Sequence, residues 1–105
     1  MSTEYPTPAT AELQLVDVLR ALADPVRLDV VRLLGDGMAH CKGREDWNFG
    51  VQKSTMSHHL RILREAGVTD VTIDGRDHWI RLRREDLEAR FPGLITGVLS
   101  DRAEG

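Results

Sequence analysis

Apolar residues recur every three or four positions through most of this chain, and the places where that rhythm stops mark its elements. From Thr10, a residue suited to cap a helix, Leu13, Leu15, Val16, Leu19 and Leu22 form an apolar band that predicts a helix over 10–23. The band is broader than a helix with one neighbour needs, so a second, intermolecular contact is expected through Leu13, Val16 and Leu19. Asp24-Pro25 restarts the chain as a cap followed by a proline at the first helical position, where its missing N–H costs nothing. Val26, Val30, Val31, Leu33 and Leu34 fill the resulting helix over 25–35, and Gly35-Asp36-Gly37 ends it. A third, short helix is expected over 42–48, weak by propensity because of Gly43, with Trp47 and Phe49 as core anchors rather than base-stacking platforms.

The clearest stripe lies over 53–66. Met56, Leu60, Leu63 and Ala66 share one side of a helix, widened by Ile62, while Ser54, Ser57, His58, Arg61 and Arg64 fall opposite. The first acid, Glu65, comes only at the end, and Gly67 supplies the positive φ that stops the helix. Hydroxyls, an imidazole and guanidinium groups on one face suit a polyanion with readable base edges. His58 and His59 point about 100° apart, so His58 is assigned to contact and His59 to a hydrogen-bonded brace. A hairpin over 69–83 follows, with Val71 and Ile73 in one strand, Ile80 and Leu82 in the other, Asp74-Gly75 as the turn signal and Arg76 at the tip. Trp79, Arg81 and Arg83 take the face opposite Ile80 and Leu82, and His78 shares the partly buried phase. Pro92-Gly93 interrupts a last helical segment over 85–99, in which Leu94, Ile95, Val98 and Leu99 make a compact apolar face suited to a dimer contact. Residues 1–9, with Pro6 and Pro8, read as a flexible arm, 10–99 as one domain and 100–105 as a tail.

Three helices, a fourth with a polar reading face, a two-stranded hairpin with a basic tip and a helical tail make a mainly α winged helix-turn-helix. With 41% hydrophobic and 30% charged residues in 105, the chain is of folded, single-domain type. A net charge of −3 argues against a nucleic-acid partner until its distribution is read. Residues 51–84 hold seven bases against four acids, a surplus of three that leaves −6 for the remainder. Phosphate binding depends on the field at the contact face, so one basic third is enough. No apolar run is long enough to span a bilayer and no basic-then-apolar leader follows Met1, so a cytoplasmic location is expected. Phosphate loops, nucleophile elbows and zinc-binding helix motifs are absent from the sequence, so no enzyme activity and no cofactor is expected.

Two stretches, Leu19-Arg20-Ala21-Leu22-Ala23-Asp24-Pro25-Val26-Arg27-Leu28-Asp29-Val30-Val31-Arg32-Leu33-Leu34 and Ser54-Thr55-Met56-Ser57-His58-His59-Leu60-Arg61-Ile62-Leu63-Arg64-Glu65-Ala66-Gly67-Val68, resemble the ArsR/SmtB family of bacterial winged-helix repressors. The likeness spans roughly 12–90. It implies a homodimer formed by the first and last helices, bound to an inverted-repeat operator of double-stranded DNA and released by an effector. The DNA-facing positions it carries over are Lys53, Ser54, Thr55, Ser57, His58 and Arg61, with Arg76 on the wing; Arg64 joins them from the helix face. Many metal-sensing members place Cys-x-Cys where this chain has Cys41-Lys42-Gly43, so the second thiolate is missing. His40 and Cys41 are the nearest approach to a metal pair, but neighbours on a chain seldom converge on one ion, and no metal site is assigned. A DNA-binding regulator with an unidentified effector is the leading expectation; a winged-helix protein-interaction module is the alternative, motivated by the negative net charge.

Overall fold

The computed structural model of the chain describes residues 2–3, 6–43, 47 and 49–100. Its elements run β1 (Ser2–Thr3), α1 (Leu15–Leu22), α2 (Pro25–Leu33), β2 (His40–Cys41), α3 (Lys53–Glu65), β3 (Thr69–Asp74), β4 (Asp77–Leu82), α4 (Arg84–Arg90) and α5 (Leu94–Ser100), with 3-10 turns at Thr10–Glu12 and Leu34–Asp36. The strands form one antiparallel sheet in the order β1-β3-β4-β2. In the β3–β4 hairpin Val71 pairs with Ile80 and Asp74 with Asp77, leaving Gly75-Arg76 as a two-residue turn. Gly75 takes φ 63° and Arg76 does not take positive φ, the sign pattern of a type II′ hairpin turn.

Helix α2 begins as its sequence dictates. The Asp24 carboxylate accepts hydrogen bonds from the Val26 N–H at 2.9 Å and the Arg27 N–H at 3.1 Å, with Pro25 behind the cap. These bonds, the Arg27 one first, hold the Asp24 carboxyl below its ordinary value. Helix α3 ends on a Schellman motif: the Gly67 N–H donates to the Arg64 carbonyl at 3.0 Å and the Val68 N–H to the Leu63 carbonyl at 2.9 Å. Leu63 and Val68, both fully buried, supply the apolar contact that accompanies it. The core joins Val18 and Leu22 of α1, Val30 and Val31 of α2, Met56, Leu60 and Leu63 of α3, Val71, Ile80 and Leu82 of the hairpin, and Leu87 and Ile95 of the last two helices.

Several expectations are corrected. The helix over 10–23 is two pieces, because the chain is extended at Leu13 and Gln14 between the 3-10 turn and α1. Thr10 is not a cap; its hydroxyl donates to Asp86 at 2.9 Å. Leu13 is 1% exposed and Ile95 is fully buried, so both serve the protomer's own core rather than a dimer face. The helix over 42–48 is replaced where the residues are described: Cys41 pairs with Trp79 in the sheet, the Lys42 N–H donates to the His78 carbonyl at 3.0 Å, Lys42-Gly43 is a turn and Trp47 is not helical. Residues 44–46 and 48 of that segment lie outside the described residues. Trp47 and Phe49 do pack on the core, edge to face at 6.1 Å between ring centres. The arm over 1–9 is tied down where it is described, by pairing of Ser2 and Thr3 with Ile73 and Thr72 and by hydrogen bonds at Thr7 and Pro8. Arg83 is not on an outer face: it follows β4, is 8% exposed and holds that arm.

Candidate nucleic-acid interface

Helix α3 separates its two sides as its periodicity requires. Met56, Leu60 and Leu63 are buried, while Ser54, Ser57, His58 and Arg61 are exposed. At about 100° per residue these four fall within one narrow stripe, with Lys53 and the half-buried Arg64 along one margin. Thr55 is exposed but lies about 100° round from Ser54, on the flank rather than in the stripe. Arg76 is exposed at the hairpin turn.

Between α3 and the inner face of the hairpin runs a groove of about 450 Å³. Ser54, Ser57, His58, Arg61 and Arg64 line one wall, Thr69, Val71, His78 and Ile80 the other, and Lys42 closes one side. The Lys42 ammonium donates to the Ser57 hydroxyl at 3.0 Å, so the end of β2 delivers a cation to the polar face of α3. Periodicity could not have found Lys42, because its place beside Ser57 depends on β2 joining β4. His78 enters the same groove from β4.

The two histidines of α3 take different partners. Arg61 donates to the His58 Nδ1 at 3.2 Å on the exposed side. Arg27 donates to the His59 Nδ1 at 3.1 Å and, through Nε, to the Ala21 carbonyl at 2.6 Å, bracing α3 against the α1–α2 junction. A guanidinium can only donate, so both rings accept at Nδ1 and carry a proton on Nε2. The His58 Nε2–H is then a donor available to an acceptor on a base edge or a phosphate.

The basic third is smaller at the surface than its composition implies. Arg81 pairs with Asp70 at 3.4 Å, and Arg83 is buried against Asp86 at 3.0 Å. The bases placed along α3 and the hairpin turn are Lys53, Arg61, Arg64 and Arg76, with Lys42 added by the sheet. Exposed pairs such as Arg81–Asp70 contribute little to stability and screen readily.

His40 and Cys41 do not converge on one point. They are consecutive on β2 and point to opposite faces; Cys41 is 1% exposed, and the His40 Nε2 lies 2.9 Å from the Asp36 carboxylate. Among the described residues no group of three or more histidine, cysteine or acidic side chains is placed to hold a metal. Likewise, no helix among them is long and apolar enough to cross a membrane.

A recognition helix with a polar, basic stripe, braced by α1 and α2 and followed by a hairpin wing, defines a winged helix-turn-helix DNA-binding protein. Residues 48–70 match the model of the arsR family of bacterial regulatory proteins. The chain is 32% identical over 79 residues to the HTH-type transcriptional regulator YceK of Bacillus subtilis, a match covering 74% of this chain and 79% of that protein. It is 30% identical over 76 residues to the arsenical resistance operon repressor of Staphylococcus aureus, covering 71% of each. A crystal structure of a possible transcriptional regulator for arsenical resistance superposes with a TM-score of 0.62 at 33% identity, covering 81% of this chain and 86% of that one. The chain belongs to the ArsR family of bacterial regulatory proteins and is a DNA-binding transcriptional regulator, not an enzyme.

Proposed function

We propose that the protein is a cytoplasmic, dimeric repressor that reads an inverted-repeat operator with α3 and holds the flanking backbone with its wing. The observation that carries this reading is the exposed stripe Ser54, Ser57, His58 and Arg61, set opposite a fully packed side of the same helix. Ser54, Ser57, His58 and Arg61 address base edges, Lys53, Thr55 and Arg64 the adjoining phosphates, and Arg76 the backbone beyond the wing. The name of the Staphylococcus aureus relative supports repression as the direction of control.

Dimerisation is supported by α1, where Leu15, Val16 and Leu19 are 44%, 56% and 46% exposed on neighbouring turns. Such large aliphatic side chains, clustered on one helix, gain by burial against a partner. Leu94, Val98 and Leu99 of α5 are only partly covered by the core and offer a second apolar contact. A two-fold dimer places its recognition helices about 34 Å apart, one turn of DNA, which makes the operator an inverted repeat. The releasing signal differs from that of members with paired thiolates, since Cys41 is the sole cysteine and is buried.

The test is a gel-shift titration against the chain's own upstream region at several salt concentrations. Arg61→Ala should weaken operator binding by about 1–3 kcal/mol and relax base discrimination, while Arg76→Ala should chiefly reduce the salt slope by about one. Parental affinity and slope in both variants would remove α3 and the wing from the interface.

A further inference from the structure

Arg83 sits where both strands of the wing meet the end of the recognition helix. Its backbone N–H donates to the Val68 carbonyl at 2.9 Å, closing the hairpin at its base. Its side chain turns inward and is 6% exposed. There Nε donates to Asp86 at 3.0 Å, and Nη1 donates to the Thr7 hydroxyl at 2.9 Å and to the Pro8 carbonyl at 2.6 Å. The Thr7 hydroxyl, accepting from Arg83, donates onward to the Arg64 carbonyl at 3.3 Å. That carbonyl already receives the Gly67 N–H of the Schellman motif, so Thr7 lies against the C-terminal cap of α3. Asp86 accepts from Thr10 as well as from Arg83, which fastens the arm at a second point. From this joint the arm leads back to β1, which pairs along the outer strand of the wing.

The arm therefore touches the end of the reading helix and the edge of the wing, and Arg83 is the side chain that holds it between them. We propose that Arg83 is a positioning residue for DNA reading: by clamping Thr7 and Pro8 over the cap of α3, it sets the angle between helix and wing. The helix must enter a major groove about 12 Å wide while the wing reaches the neighbouring backbone, so that angle governs whether both engage one operator half. Arg83 itself, buried on the far side of Gly67, contacts no DNA. A planar fork with several donors suits the task; the single ammonium of lysine cannot reproduce its geometry toward Asp86, Thr7 and Pro8 together.

The inference rests on α3 and the wing being the DNA-contacting surface, and the experiment separates the two. Parent, Thr7→Val, Arg83→Lys and the Thr7→Val/Arg83→Lys double variant are compared for thermal stability, active fraction by stoichiometric titration, and affinity of that active fraction for operator and for unrelated duplex. Arg61→Ala serves as the control for the reading surface. Expected is a fall of about tenfold in the operator-to-unrelated ratio for each clamp variant, the scale of one misplaced base contact. The salt slope should stay within one unit of the parent, because no phosphate contact is removed, and the double variant should be no worse than Arg83→Lys, because both break the same link. A purely structural role would lower the melting temperature and active fraction while leaving discrimination at the parental value; that result overturns the clamp. If Arg83→Lys does not fold, Thr7→Val decides alone, since it removes the hydroxyl link with almost no change in volume. Unchanged operator binding in Arg61→Ala would instead refute the reading surface, and parental discrimination in the clamp variants counts against Arg83 whatever that control does.

Discussion

Gly67 is the residue whose replacement should cost most per atom added. It takes φ 84°, a conformation in which an L-residue loses about 1–2 kcal/mol. The space around it is also filled. A Cβ built there would fall well inside van der Waals contact of the Leu13 Cδ2 and 3.4 Å from the Arg83 Nη1. Leu13 is 1% exposed and cannot swing into solvent, so the added methyl must be absorbed by a packed core, at a further cost of about 1–3 kcal/mol. Gly67→Ala should lose about 2–5 kcal/mol in all. Gly75→Ala is the matched control, since Gly75 has φ 63° with no atom within 4 Å of its would-be Cβ, and it should lose only the backbone part, about 1–2 kcal/mol. Urea unfolding followed by circular dichroism at fixed protein concentration measures both, and each 1 kcal/mol should move the melting temperature by about 4–8 °C in a domain of this size. Combining Gly67→Ala with Leu13→Ala should cost less than the sum of the two, because removing the Leu13 side chain opens the space the new methyl needs. Equal losses at Gly67 and Gly75, or strict additivity with Leu13→Ala, would refute the close approach of Leu13 to the helix cap.

Asp24→Ala should destabilise by about 1 kcal/mol in urea unfolding, since it leaves two N–H groups of α2 without their cap. Asp86 is held below the ordinary aspartate value first by the Thr10 hydroxyl and then by Arg83, against a desolvation that pushes the other way. A lowered folded-state value means that the unfolded chain takes up the proton first, so this stabilisation is present above about pH 4 and is lost as pH falls through the folded-state value. Asp86→Asn should accordingly be less stable than the parent at neutral pH and show a shallower loss on acidification; parallel acid limbs in the two proteins would contradict it. Charged replacements at the exposed α1 positions, Val16→Glu with Leu19→Glu, should convert the sedimenting species to a monomer while leaving the far-ultraviolet spectrum unchanged.

Much of this molecule follows from short-range rules. The Asp24-Pro25 start of α2, the Gly67 stop of α3, the Asp74-Gly75 hairpin signal and the break at Pro92-Gly93 depend on the conformations open to those residues and their immediate neighbours. The same holds for the polar stripe, because the spacing of Met56, Leu60 and Leu63 decides which face of α3 is packed and hence which is exposed. Even the different surroundings of His58 and His59 follow from the 100° step of a helix. Composition could not reveal where the charges go: Arg81 and Arg83 count alike in a sum, yet one lies at the surface and the other is buried.

Long-range contacts decided the rest. Thr10, a good cap by type, instead bonds Asp86, 76 positions away. Leu13, in phase with a dimer band, is claimed by the core because the chain is extended there and brings it over Gly67. Lys42 reaches Ser57 only because His40 and Cys41 join β4. The arm, with its two prolines and no apolar stripe, carries no local signal for order; where it is described it is held by pairing with β3 and by Arg83, whose buried donors need the oxygens of Thr7 and Pro8. Backbone preference and periodicity over a few residues are enough to fix α2, α3, the hairpin turn and which side of α3 is polar, but not the split of the first helix or the strand at His40–Cys41. Which arginines face outward and how the arm meets the end of α3 depend on contacts between distant residues, since satisfying a buried donor needs atoms that are far apart in sequence and close in space.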